Sequence, residues 1–102
     1  MGGACAPRTT VALAYLFALV IVANAAPAVP PSGAASCTGC HAVDPKVATS
    51  VPRIAGRPSA EIVAAMEAFR SGQKPATVMD RIAKGFSDTE IRAVAEWLSA
   101  QK

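Results

Sequence analysis

The stretch Cys37-Thr38-Gly39-Cys40-His41 constrains this chain more than any other, because it spends two of three cysteines and the only histidine within five positions. Positions i and i+3 lie on one side of a helical turn, so the two thiols face the same way. So placed, they suit addition to two vinyl groups on one edge of a haem, with His41 free to swing over the porphyrin face and ligate iron. The competing uses of such a pair fit less well. A zinc site needs further Cys or His ligands, and none follows His41. A thioredoxin-like dithiol needs strands alternating with helices, and no such pattern occurs. A structural disulfide leaves the adjacent histidine without a purpose.

Haem iron with one histidine needs a sixth ligand or an open position, and with no second histidine a methionine is the natural choice. Past residue 25 the chain offers Met66 and Met79. Met66 falls in a helical stripe with Ile62 and Phe69, where packing alone accounts for it. Met79 follows Pro75 in a short connection beside the charged Asp80 and Arg81, so it is the expected distal ligand, with Met66 or an open site as alternatives. A metal-bound imidazole usually donates its second N–H to a carbonyl. The loop VPRIAG, residues 51–56, supplies a candidate in Pro52, whose residue carries an acceptor but no backbone donor. An ordinary loop proline is the plainer reading. Trp97 and Phe69 are expected to wall either the haem or a helix interface.

The N-terminal part reads as a targeting segment. Arg8 precedes the apolar run VALAYLFALVIVA, residues 11–23, which ends at the small-x-small pattern Ala23-Asn24-Ala25. The run is shorter than the roughly 20 apolar residues a membrane span requires, and Cys5 lies before it instead of at its end as a lipid-anchored cysteine would. Residues 1–25 are therefore expected to be a signal peptide for export to the periplasm, with no stable membrane anchor after cleavage. Of ten Lys and Arg only Arg8 lies in that segment, and seven Asp and Glu oppose the rest. So mild an excess, with no basic stripe and few aromatics, argues against a nucleic-acid partner.

Residues 26–36, APAVPPSGAAS, read as a Pro/Ala-rich approach segment, with a short helical turn from near Ser32 carrying the cysteines. Three prolines and Gly56 make residues 42–58 a loop. A helix is predicted from Ser59, read as N-cap, to Gly72, with Ile62, Met66 and Phe69 at i, i+4 and i+7. A shorter piece is expected over about Thr77 to Lys84. The last helix opens with SDTE, in which Ser87 caps and Glu90 reaches back, and Ile91, Val94 and Leu98 share a face. The whole predicts a small all-α domain over residues 37–102, too small to bury much apolar surface without a staple. A covalently held haem would supply that core.

CTGCH, VPRIAG, MEAFRSG and above all ATVMDRIAKGFSDTEIRAVAEWLSAQ, residues 76–101, resemble the class I c-type cytochromes, and most closely the cytochrome subunit of flavocytochrome c sulfide dehydrogenase. The resemblance runs from about Cys37 to Gln101. It implies the class I fold of three to four short helices around one covalent haem c, and it implies Met79 as distal ligand. It also implies a larger FAD-bearing partner subunit that oxidises sulfide, with electrons leaving to a downstream redox carrier. This chain has a single CxxCH where many relatives have two haem domains, and its segment before Cys37 is short. Two other functions stay open from the residues alone: a free-standing soluble periplasmic electron carrier, and a haem domain that binds or senses a small molecule. No catalytic site of its own is expected.

Overall fold

A computed structural model describes residues 1–3 and 29–102. Residues 4–25 of the expected signal peptide, Cys5 among them, and residues 26–28 of the approach segment lie outside the described residues. Among the described residues there are four helices and no strand: α1 (Ala34–Thr38), α2 (Ser59–Arg70), α3 (Met79–Lys84) and α4 (Asp88–Ser99). None is long and apolar enough to cross a membrane. The all-α expectation holds.

Helix α4 begins where its sequence dictates. Ser87 Oγ accepts from the Glu90 amide at 3.3 Å while Glu90 Oε2 accepts from the Ser87 amide at 2.9 Å, a complete capping box. Its apolar face buries Ile91, Val94, Ala95, Trp97 and Leu98. This face meets Ile62 of α2 and Ala34 and Cys37 of α1 in one core cluster. Trp97 belongs to that cluster, so of the two roles open to it the helix interface is the one it fills; its indole N–H is buried with no partner among the described residues.

The other helices start a residue or two from where the sequence suggests, α2 earlier and α1 and α3 later. Ser59 is the first residue of α2, and Pro58 occupies the N-cap with its extended ψ of 132° and its carbonyl accepting from the Glu61 and Ile62 amides. Helix α3 starts at Met79, two residues past Thr77, because Val78, its N-cap at φ −142° and ψ −25°, lies outside the helical angles. Helix α1 starts at Ala34 and not near Ser32, because Gly33 takes the left-handed φ of 87° that precedes the turn. The loop after α1 is tied down from afar: the Gly56 amide donates to the Leu98 carbonyl at 2.9 Å, and a Cβ at Gly56 would lie 3.2 Å from the Gln101 carbonyl oxygen.

Candidate functional site

The CxxCH segment is shaped by α1 and the turn closing it. The Cys40 and His41 amides both donate to the Cys37 carbonyl, at 3.2 and 2.8 Å, which puts residues 37, 40 and 41 around one turn. Cys37 is buried and Cys40 exposed, and neither is bridged. Burial pushes the Cys37 thiol above its ordinary value, so in the folded chain it is held as neutral S–H.

His41 is half-buried and lies against the VPRIAG loop. Its Nδ1 lies 2.5 Å from the Pro52 carbonyl oxygen. A carbonyl only accepts, so Nδ1 carries the hydrogen and Nε2 keeps its lone pair for a ligand. The Pro52 carbonyl expected from sequence is thus the one the structure uses.

These residues border a cavity of about 400 Å³. Cys37, Cys40 and His41 form one side, and Met79, at the N-terminus of α3, borders it too. The structure therefore brings together all four residues singled out as cofactor-binding. Met66 also lines it, one turn after Ile62 on α2, which residue spacing read as core packing alone. The rest is mostly aliphatic, with Ile54, Ile82, Val94 and Leu98 among the walls and no charged side chain. Phe69 is not a wall: it lines a shallow cleft with Pro75, Ala76, Thr77 and Met79, under the Lys74 ammonium 5.0 Å from its ring centroid. Phe86, which sequence reasoning passed over, is one of the walls.

The chemistry of this donor set can be tested against the group the motif implies. Among the described residues no three His, Cys, Asp or Glu side chains gather as a bare ion would need. One imidazole with a free Nε2, two thioethers and two thiols around an apolar space instead suit an ion that arrives inside its own planar ring. The residues present fit a haem.

A helical chain with such a cavity and a CxxCH turn at its edge has the make-up of a small c-type cytochrome. Comparison with known proteins bears this out. Over 62 residues the chain is 39% identical to the cytochrome subunit of sulfide dehydrogenase from Chlorobaculum tepidum, covering 61% of this chain and 56% of that one. It is 34% identical over 97 residues to the thiosulfate dehydrogenase electron acceptor of Thiomonas intermedia, covering 93% of this chain and 45% of that one. Cytochrome c-554(548) of Halomonas halodenitrificans is 30% identical over 71 residues, which cover 66% of this chain and 86% of that one. No protein-family model matches. The chain belongs to the class I c-type cytochromes, related to the sulfide dehydrogenase cytochrome subunit. It spans about half the length of the first two of these relatives.

Proposed function

We propose that residues 37–102 hold one haem, which Cys37 and Cys40 would bind through thioethers and whose iron His41 and Met79 would ligate. The bound haem supplies one-electron chemistry at its iron. The observation that carries this reading is the meeting of these four residues at one apolar cavity, with the His41 ring oriented by Pro52. Cys37 and Cys40 would each hold the group by a thioether, a net addition of S–H across a vinyl C=C that consumes no oxidant. Thereafter the protein's part is positioning: Pro52 fixes the imidazole tautomer, and the aliphatic walls keep water from the iron. Residues 1–25 are read as the signal peptide that exports the chain to the periplasm.

For the partner we favour a flavin-bearing subunit that oxidises sulfide, the chain relaying electrons onward to a further redox carrier. The likeness to a sulfide dehydrogenase cytochrome subunit supports this, and so does the lip of the cavity. Pro75, Ala76, Thr77 and Val78 are all exposed and uncharged, and Thr77 and Val78 border the cavity itself. An exposed apolar rim beside the redox group suits a fixed neighbour more than brief, charge-steered encounters. Coverage of 86% of cytochrome c-554(548) favours the second reading, a free-standing carrier. Gentle purification of the native protein separates the two. A complex holding flavin and haem, reduced by sulfide, supports the subunit reading, and a flavin-free protein eluting alone supports the carrier.

A further inference from the structure

Outside the ligand set, four residues form a continuous line of contacts from the end of α2 to the start of α1. Arg70, the last residue of α2, donates from Nη2 to Asp88 Oδ1 at 2.6 Å and from Nη1 to the Phe86 carbonyl at 3.4 Å. Its guanidinium thus grips the α3–α4 connection on both sides of Ser87. The Phe86 ring lines the cavity, and its edge also fills the space above Gly33. A Cβ at Gly33 would lie 2.4 Å from Phe86 Cε1, closer than any real contact allows, and Gly33 is the left-handed N-cap of the helix that carries Cys37.

We propose that Arg70 is a positioning residue for the haem cavity: by clamping residues 86–88 it seats the Phe86 ring between the cavity and Gly33, and so fixes α1 and its CxxCH turn against the cavity. This rests on the haem reading given above. Two details mark the contact as more than a surface ion pair. One of the two acceptors is a backbone carbonyl, which reports position and not charge. The other end of the line is a glycine whose missing side chain leaves just the room the ring occupies. A guanidinium reaches both acceptors because it is a rigid planar fork, whereas an ammonium is a point charge that serves one direction at a time. Solvent access at a haem edge sets its potential, so a loosened Phe86 wall is read there.

The test is Arg70→Lys in the full-length, haem-loaded protein, since it keeps the charge and removes the fork, with Asp88→Asn as a second variant. Three readouts are taken: haem stain on a denaturing gel, reduction potential, and hydrogen exchange of the Cys40 and His41 amides. The expected result is wild-type stain, a lowered potential and faster exchange at both amides in Arg70→Lys, with a smaller change of the same sign in Asp88→Asn. Wild-type stain with an unmoved potential and unmoved exchange in Arg70→Lys would make the contact an ordinary ion pair and overturn the proposal alone. Absence of stain from the wild-type protein would overturn it together with the haem reading.

Discussion

Helix α4 and the stretch from Cys37 to Pro58 differ in where their order comes from. In α4 a local device sets the start, a capping box between neighbours three apart, and of five buried residues Val94, Ala95, Trp97 and Leu98 pack with side chains of other helices in the core cluster. From Cys37 to Pro58 there is one helical turn and then loop, most side chains are exposed, and of the inward ones Cys37 and Ile54 reach the core cluster while they, His41 and Val51 also border the cavity. The fixtures there are one tie to another element, Gly56 onto Leu98, and one across the loop itself, His41 onto Pro52. One region is specified by its own sequence and its protein neighbours. The other, on the haem reading proposed above, is specified around a bound group.

The largest test removes that group. A Cys37→Ala, Cys40→Ala double variant is expected to show no haem stain on a denaturing gel and to lose its cooperative melt, because the chain cannot bury enough apolar surface alone. Staining at the wild-type level would refute attachment through these cysteines and dissolve the contrast.

Leu98 sits where the two regions join, 1% exposed in the core cluster and also a wall of the cavity. Leu98→Ala is expected to cost about 2–5 kcal/mol in denaturant unfolding of the haem-loaded protein. A loss well under about 1 kcal/mol would mean that the cavity side collapses readily onto the gap, and that it is less dependent on its contents than argued.

Next come the two methionines, both at the cavity and both half-buried. Met79→Ala is expected to leave haem covalently bound, lower the reduction potential and let carbon monoxide bind the ferrous protein readily, since a thioether favours ferrous iron. Met66→Ala is expected to keep the charge-transfer band of ferric His/Met haem and lose about 2 kcal/mol or less, its partial exposure placing it at the low end for buried methionine. The opposite pattern would make Met66 the ligand.

What could be read from sequence follows the same division. The start and face of α4 were legible because a capping box and a 3.6-residue stripe are local signals. The Pro52 carbonyl was legible for a chemical reason, since proline offers an acceptor without a donor. Helix starts near prolines and glycines shifted by a residue or two, as with Pro58 in place of Ser59, because those residues impose backbone angles that pattern counting does not see. Met66 at the cavity was not legible, because a stripe facing a cofactor and one facing a core have the same spacing. Nor was the line from Arg70 through Phe86 to Gly33, whose members lie 16 residues apart or more and which only the fold brings together.

The smallest expected effect concerns the self-specified region and its acid limit. Hydrogen bonds from Ser87, first its amide and then its hydroxyl, hold the Glu90 carboxyl below its ordinary range, and the Arg70 guanidinium does the same for Asp88. A carboxyl lowered in the folded state stabilises the fold above its unfolded value, and that contribution disappears as pH falls through the lowered one. This contribution should therefore be whole at neutral pH, start to fall as pH drops through the usual carboxylate range, and be gone once pH lies below the lowered values. Ser87→Ala removes the Oγ that accepts from the Glu90 amide and donates to its carboxylate at 2.8 Å. The expected cost is about 1 kcal/mol at neutral pH, measured by denaturant unfolding. In acid the cost should shrink, because protonated Glu90 accepts more weakly from the hydroxyl, yet stay above zero, because the amide still needs its acceptor whatever the state of the carboxyl. A cost that is the same at both ends of the titration would remove Glu90 from the cap's pH dependence and leave Ser87 acting through the amide alone.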